Sequence, residues 1–268
     1  MEFLKNKVVV ITGGSDGIGK ALVELALNSG AKVATCARNH DKLYQLQRLY
    51  SGKPLYTEVS DVSKEDDCKR FIQHAIENFG GIDILINNAG ISMRAELKEA
   101  DPSVIRKVMD INFFGMVYCT KYALDSIISR KGTVVGVSSV AGYRGLPGRT
   151  GYSASKFAMQ GFLESLRTEL LQTGVHVMWV CPGFTASNIR NAALRKDGSS
   201  QGYSTLDESG LMTAEQCAVI TYEAIGKRKR TLVYTFNDKR TIFLSKFFPA
   251  FADKMAHKFF YKNNELVK

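Results

Sequence analysis

The sequence predicts an α/β fold in which one doubly wound domain holds a seven-stranded parallel sheet with helices on both faces. Two patterns favour this fold. Short runs rich in β-branched residues alternate with amphipathic stretches of helical length. The 268 residues are also 45% hydrophobic and 23% charged, which is the composition of a soluble domain with one well-buried core. We therefore expect a packed globular chain.

The predicted elements follow one another as strand–helix units. The strands lie at residues 7–11, 32–37, 54–59, 82–86, 133–137, 175–180 and 231–236. The helices lie near residues 17–29, 40–50, 64–79, 102–129, 152–173 and 213–226. Because each helix returns the chain to the starting edge of the sheet, we expect successive strands to be parallel.

The chain divides into a main domain and a short extension. Residues 1–240 contain all the predicted strands, with no linker rich in Pro, Ser or Gly between them. Within this domain, residues 184–212 form a long polar segment, for which we expect a lid over the substrate. Residues 241–268 are aromatic and basic, and they predict an amphipathic helical extension at the C-terminal side.

The distribution of charge and the cysteine content indicate which partners and which compartment to expect. The net charge is +10, and eleven basic residues face three acidic ones from Lys227 to Lys268. This bias suggests an anionic partner, with a solvated basic helix as the alternative. The five cysteines form no C-x-x-C pair, which favours a reduced protein without a metal. We find no signal peptide and no apolar run near the roughly 18 residues of a membrane span, so we expect a cytoplasmic protein.

A glycine-rich turn follows the first predicted strand. It reads Thr12-Gly13-Gly14-Ser15-Asp16-Gly17-Ile18-Gly19 and leads into a helical pattern. Glycines allow positive φ and close approach of a pyrophosphate, and the next helix offers unpaired N–H groups at its N-terminus. The turn therefore predicts a dinucleotide site, with an ordinary tight turn as the alternative. Its predicted contacts are Gly13, Ser15, Gly17, Ile18 and Gly19.

The end of the second strand indicates which cofactor binds. About 20 residues beyond such a turn, an acidic residue holds the ribose hydroxyls of NAD. Here the chain reads Ala37-Arg38-Asn39, without a carboxylate. Since the guanidinium of Arg38 suits a 2′-phosphate, we predict NADP(H) in preference to NAD(H). A solvated arginine at a helix start is the alternative.

Further motifs give the chain a family resemblance. They are the T-G-x-x-x-G-x-G spacing of the turn, Asp61-Val62, Asn87-Asn88-Ala89-Gly90, Ser138-Ser139, Tyr152-x-x-x-Lys156 and Pro182-Gly183. In this order, over residues 5–236, they resemble the short-chain dehydrogenase/reductase family. The cofactor positions that the resemblance implies are Asp61, Val62, Asn88, Ala89, Gly90, Tyr152, Lys156, Pro182, Gly183, Thr185 and Ser187.

The candidate catalytic residues are Asn112, Ser139, Tyr152 and Lys156. Tyr152 and Lys156 share one face of a predicted helix. The neighbouring ammonium, together with the positive nicotinamide ring in the oxidised complex, should lower the tyrosine pKa from about 10 toward neutrality. Tyr152 would then serve as general acid and base. Ser139 ends the fifth strand and would hydrogen-bond the substrate oxygen, with Ser138 as its substitute. By the resemblance, Asn112 distorts its helix and holds a water that relays protons to Lys156.

The resemblance implies an oxidoreductase that uses NADPH to reduce a ketone to a secondary alcohol. The run G-Y-S-A-S-K-F-A is similar to the branch with ketosphinganine reductases and hydroxysteroid dehydrogenases, which favours a lipid ketone. A small polar carbonyl is the alternative substrate, and a catalytically silent nucleotide sensor is the alternative function. No nucleic-acid recognition motif is found. Family members pair through helices like those near 102–129 and 152–173, which implies a homodimer or homotetramer.

The extension carries an apolar stripe with basic neighbours. The stripe consists of Leu244, Phe248, Phe251, Met255 and Phe259, at steps of three or four residues. Pro249 predicts a kink or a restart of the helix. Such a helix resembles those that lie in a lipid interface, which suggests peripheral membrane association. The same stripe could equally cover the cofactor cleft or a subunit contact.

Overall fold

One parallel sheet forms the centre of the protein. A computed structural model describes residues 1–185, 188–204, 210–263 and 265–267. The strands of its sheet are β1 Val8–Thr12, β2 Lys32–Ala37, β3 Leu55–Val59, β4 Ile84–Asn87, β5 Thr133–Val137, β6 His176–Cys181 and β7 Thr231–Val233. Their order is β3-β2-β1-β4-β5-β6-β7, and all neighbours are parallel. The predicted seven-stranded, doubly wound sheet is confirmed.

Helices cover both faces of the sheet. They are α1 Gly17–Asn28, α2 His40–Leu49, α3 Glu65–Phe79, α4 Pro102–Met109, α5 Gly115–Ser129, α6 Thr150–Glu169, α7 Ala214–Gly226, α8 Phe236–Phe247 and α9 Pro249–Phe260. Buried apolar side chains of α1, α2 and α7 pack on one face, and those of α3, α5 and α6 pack on the other. Because both faces are covered, every residue of β1 and β5 is buried.

The predicted helix at 102–129 forms, and it contains a turn of π-helix at Asp110–Phe114 between α4 and α5. Asn112 lies in this turn and is fully buried. Its side chain accepts a hydrogen bond from the Ile91 N–H at 2.8 Å and donates one to the Ile91 carbonyl at 2.9 Å. These bonds hold the amide against the loop after β4, and the helix widens locally to accommodate it.

The helices of the C-terminal extension begin at residue 236 in the structure. β7 ends at Val233 because Thr235 caps α8, accepting a hydrogen bond from the Asp238 N–H. Pro249 starts α9, where a kink or restart was predicted. Tyr261–Lys262 and Glu265–Leu266 then pair as antiparallel β8 and β9. Across the described ranges, no helix is long and apolar enough to cross a bilayer.

Two long-range hydrogen bonds fasten the extension to the main domain. Arg94 donates to the carbonyl oxygen of Leu266 at 2.9 Å. Tyr261 donates its hydroxyl to Glu96 at 2.6 Å. Both contacts reach the loop between β4 and α4, so the extension closes over the carboxyl edge of the sheet, where open α/β sheets bind ligands.

Candidate active site

A cleft of about 820 Å³ opens at the carboxyl edge of the sheet. Most of the predicted site residues line it, namely Gly13, Ser15, Gly17, Ile18, Gly19, Arg38, Asp61, Val62, Asn88, Ala89, Gly90, Ser139, Tyr152, Lys156, Pro182, Gly183 and Thr185. Asn112 lies behind the cleft, and Ser187 falls outside the described residues. Among the residues described, no group of three or more His, Cys, Asp or Glu side chains could hold a metal ion.

The glycine-rich turn closes tightly on its own backbone. Gly13 has a φ of +72°, and its N–H donates to the Cys36 carbonyl at 2.8 Å. A Cβ at Gly19 would lie 2.2 Å from the carbonyl oxygen of Gly13. Only glycine fits at this position, where α1 begins at the edge of the cleft. The Gly17 N–H donates to the Asp16 carboxylate at 2.8 Å, and the next N–H groups of α1 remain for an anion such as a pyrophosphate.

The loop after β4 is bound to the end of β1. The Asn88 side chain donates to the Thr12 carbonyl at 2.9 Å. The N–H groups of Asn88 and Ala89 both donate to the Thr12 hydroxyl at 3.0 Å. These bonds hold Ala89 and Gly90 beside the glycine-rich turn, as their place in the predicted cofactor site requires.

The loop after β3 closes another part of the cleft. Asp61 accepts hydrogen bonds from the N–H and the hydroxyl of Ser63, at 3.0 and 2.7 Å. These bonds fix the backbone that presents Asp61 and Val62 to the cleft.

A second cation, Lys42, accompanies Arg38 at the β2 end of the cleft, although it is not among the residues predicted from sequence. It lies in the first turn of α2, which Asn39 caps. Lys42 also forms an ion pair with Asp16 in the glycine-rich turn. Burial raises the pKa of the Asp16 carboxyl, but the hydrogen bond and charge of Lys42 outweigh it and hold the pKa below its ordinary value. The ion pair therefore offsets the repulsion that Asp16 would exert on a phosphate.

Ser139, Tyr152 and Lys156 meet in the cleft. The Lys156 Nζ lies 5.6 Å from the centroid of the Tyr152 ring and donates to the Val137 carbonyl at 2.8 Å. The Ser139 hydroxyl is a hydrogen-bond partner of the Tyr152 side chain. A proton donor, a hydrogen-bonding hydroxyl and an ammonium thus lie close together. These are the groups that proton transfer to a carbonyl oxygen requires.

Burial dominates the pKa values of this group. It raises the pKa of Tyr152, and the Ser139 hydrogen bond and the charge of Arg149 lower it by less. Burial also lowers the pKa of Lys156 to about 8. The side chains of the protein alone therefore do not lower the Tyr152 pKa as the sequence predicted, because desolvation of the phenolate exceeds their effect. At neutral pH the tyrosine keeps its proton while the lysine is charged.

Asn112 supports α6 from behind. Its amide donates to the Ser155 hydroxyl at 2.9 Å, and Ser155 directly precedes Lys156. A Cβ at Gly90 would lie 3.2 Å from the Asn112 Oδ1 and 3.6 Å from the Lys156 Nζ. The π-helical turn is the distortion that the resemblance implied for this asparagine.

Ser138, the substitute considered for Ser139, is engaged elsewhere. It is buried, and its hydroxyl accepts a hydrogen bond from the Gln160 side chain at 2.9 Å. Gln160 also approaches the Cys181 sulfur at 3.7 Å. It was not predicted from sequence, and its only signal is its place four residues after Lys156 on α6.

The turn after β6 presents Pro182 and Gly183 to the cleft. Thr185 is buried and donates its hydroxyl to the Gly183 carbonyl at 3.3 Å. Arg190 donates to the Thr185 carbonyl at 2.9 Å. The described residues of the predicted lid that line the cleft are Phe184, Thr185, Asn188, Ile189, Arg190 and Ala192.

The predicted apolar stripe of the extension is divided between two surfaces. Leu244, Met255 and Phe259 line the cleft, and Phe259 stacks on Phe184 of the lid at 6.2 Å. Phe248 and Phe251 are more than half exposed. The expectation of one continuous face is wrong because α8 and α9 are separate helices, so the register of apolar residues changes at the break.

Sequence comparisons link the chain to known dehydrogenases. The family model of short chain dehydrogenases matches residues 7–198. The mouse protein dehydrogenase/reductase SDR family member 7B is 34% identical over 240 residues, which cover 87% of this chain and 74% of that protein. The Dictyostelium discoideum dehydrogenase/reductase SDR family protein 7-like is 33% identical over 266 residues, which cover 95% of this chain and 82% of that protein.

Solved structures share the fold. A short-chain dehydrogenase/reductase from Burkholderia phymatum, in complex with NAD, matches with a TM-score of 0.82 at 24% identity, over 92% of this chain and 94% of that one. An alcohol dehydrogenase from Thermococcus sibiricus, complexed with 5-hydroxy-NADP, matches with a TM-score of 0.74 at 23% identity, over 86% and 96%.

Proposed function

The chain belongs to the short-chain dehydrogenase/reductase family, and from that premise we propose that it reduces a ketone to a secondary alcohol with NADPH. The family makes it an oxidoreductase of C–OH and C=O groups. One observation supports reduction of a ketone as the direction of the reaction. A protonated Tyr152 lies beside Ser139 and Lys156 in a cleft that also contains the glycine-rich turn.

Each residue of the group has a role in proton transfer. When bound, NADPH supplies the hydride. Tyr152, which keeps its proton because its pKa is raised, donates it to the alkoxide that forms on the substrate. Ser139 donates a hydrogen bond to the same oxygen. Lys156, charged at neutral pH, stabilises the phenolate that remains on Tyr152.

The residues around the cleft fit an NADP(H) molecule. The positive φ of Gly13 and the crowding at Gly19 leave the N-terminus of α1 open to a pyrophosphate. Arg38 supplies a cation at the β2 end, where the 2′-phosphate would lie, and Lys42 neutralises Asp16 beside it. The charge of Arg38 supports NADP(H) over NAD(H).

The substrate end of the cleft is mostly apolar, which supports a lipid or other hydrophobic ketone over a small polar carbonyl. Its apolar lining includes Val140, Leu146, Phe184, Leu244, Met255, Phe259 and Phe260. Each square ångström of apolar surface removed from water contributes about 25 cal/mol, so an alkyl chain gains affinity there that a small polar molecule does not. Arg149 and Arg190 add polar groups that orient a ligand.

The outer face of α8 and α9 supports association with an anionic membrane. Its aromatic residues Phe236, Phe243, Phe247, Phe248 and Phe251 are all more than half exposed. The basic residues Lys239, Arg240, Lys246 and Lys254 are exposed on the same two helices. Aromatic insertion and attraction to anionic headgroups act together on such a surface. The five cysteines are buried free thiols, which supports a cytoplasmic location.

Vesicle sedimentation tests this association. The protein should pellet with anionic vesicles at low salt and be partly released at high salt. A Phe247→Ser, Phe248→Ser double variant should stay in the supernatant, whereas Leu49→Ser, at an exposed position on α2, should pellet like the unmodified protein. Equal sedimentation of both variants would contradict the assignment of this face.

The face formed by α5 and α6 supports a homodimer or homotetramer. Phe157 is 47% exposed on α6, and Phe114, next to α5, is 40% exposed. Exposed aromatic side chains on neighbouring long helices are suited to an interface between copies of the chain.

Substitution of the tyrosine tests the proposed reaction. Tyr152→Phe should lose nearly all ketone reduction yet bind NADPH with a similar Kd, because only proton transfer is removed. Tyr122→Phe is the matched control, since the Tyr122 hydroxyl bonds Glu65 outside the cleft and its loss should spare turnover. Substantial turnover by Tyr152→Phe would overturn the role. Tight NADPH binding without turnover of any ketone by the unmodified protein would favour the silent sensor.

A further inference from the structure

The carboxylate of Asp238 lies directly on the turn that follows β6. A Cβ built on Gly183 would lie 2.4 Å from the Asp238 Oδ2 and 3.0 Å from its Oδ1. The approach is possible only because residue 183 has no side chain. Asp238 lines the same cleft as Pro182 and Gly183.

The cap of α8 fixes the direction of this carboxylate. The Thr235 hydroxyl donates to the Asp238 Oδ2 at 2.7 Å, and the Asp238 N–H donates to the Thr235 hydroxyl at 3.1 Å. Over the described ranges, no hydrogen bond is donated to Oδ1. One oxygen is therefore held by the helix cap, and the other is available to a ligand.

The charge of Asp238 is not balanced by an ion pair with any residue that the structure describes. Its effect reaches the neighbouring thiol: burial raises the pKa of Cys181 to about 12, and the charge of Asp238 adds to the rise. A cationic ligand group near Gly183 would therefore meet a fixed, uncompensated negative charge.

We propose that Asp238 contacts the nicotinamide end of the cofactor and binds the oxidised dinucleotide more tightly than the reduced one. This inference rests on the proposed function, and on the family resemblance, by which Pro182 and Gly183 belong to the cofactor site and hold the nicotinamide carboxamide. The carboxamide N–H₂ is a donor that suits the Oδ1 acceptor. The nicotinamide ring is positively charged when oxidised and neutral when reduced, so a carboxylate distinguishes the two forms by charge.

The contact has a consequence for the direction of the reaction. A group that stabilises the oxidised cofactor on the protein favours hydride delivery to the ketone in the bound complex. The extension, which follows the last strand of the sheet, thereby contributes to the cofactor site as well as to the substrate wall.

Calorimetric titration of oxidised and reduced dinucleotide tests the proposal, using NADP(H) or NAD(H), whichever binds more tightly. Asp238→Asn keeps the size of the side chain and an acceptor for Thr235 but removes the charge. We expect its Kd for the oxidised form to rise about tenfold, as for a close charge pair at a partly exposed site. The Kd for the reduced form should change much less.

Two further variants make the result specific. Asp253→Asn removes another carboxylate of the extension, which pairs with Arg144 at 2.6 Å, and should leave the ratio of the two Kd values unchanged. Asp238→Glu retains the charge, so it should retain the preference for the oxidised form. If the Asp238→Asn protein does not fold, Asp238→Glu becomes the informative variant.

The outcomes separate this inference from the proposed function. Tight binding of both forms with an unaltered ratio in Asp238→Asn overturns the contact alone. Equal weakening of both forms also overturns it, because a merely structural role predicts that result. An unmodified protein that binds neither form overturns the contact and the proposed function together.

Discussion

The pH dependence of cofactor binding should follow the charge of Lys156. Burial lowers the pKa of this ammonium to about 8, whereas an exposed lysine stays charged well above that value. Lys156 is therefore roughly nine-tenths protonated at pH 7 and roughly one-tenth at pH 9. If the ammonium supports the anionic cofactor, the NADPH affinity of the free protein should fall roughly tenfold over these two units. Tyr152 does not titrate in this window, because burial raises its pKa.

Fluorescence titration of NADPH from pH 7 to 9.5 measures this profile. Lys156→Gln should bind more weakly at pH 7 and show no decline at higher pH. Tyr152→Phe should keep the decline, which assigns it to the lysine. Arg149, whose pKa burial lowers to about 10, loses charge only above most of this range. A flat profile in the unmodified protein, or an unchanged decline in Lys156→Gln, would refute the reasoning.

Three further substitutions test the glycine-rich turn, the packing of Asn112 and the oligomer interface. Gly19→Ala should weaken dinucleotide binding at least about tenfold by calorimetry, because its Cβ would meet the Gly13 carbonyl and displace the turn; unchanged binding would contradict the tight closure. Asn112→Ala should cost about 2–5 kcal/mol in the free energy of unfolding, since it leaves both backbone groups of Ile91 buried without partners; a melting temperature like that of the unmodified protein would count against this. Phe157→Glu should reduce the mass measured by light scattering without lowering stability by more than about 0.5 kcal/mol, and an unchanged oligomer would exclude this face as the interface.

The parallel, doubly wound sheet and the residues that line the cleft could be predicted because both depend on local patterns. Strand–helix alternation fixes a parallel sheet, and parallel strands bring the ends of β1, β4, β5 and β6 to one edge. Gly13, Tyr152 and Lys156 could therefore be assigned to one site from their places after strands or on one helix face.

Features that depend on tertiary contacts could not be predicted from local patterns. The helix distortion at Asn112 depends on Ile91, and it was expected only because of the family resemblance. The start of α8 depends on the cap by Thr235, which reads locally as the end of a strand. The rise of the Tyr152 pKa depends on burial, which a spacing of four residues does not reveal. Asp238 carried no signal, because its role depends on which turn the extension covers.

The long sequence separation of the contacts that fasten the extension has a consequence for synthesis of the protein. Arg94 and Leu266 are 172 residues apart, and Glu96 and Tyr261 are 165 apart. During translation, the glycine-rich turn and the first four strands leave the ribosome long before α8 and α9. A nascent chain can thus assemble its nucleotide-facing half while the substrate wall is still missing. The part of the cleft that α8 and α9 line is therefore the last to be completed.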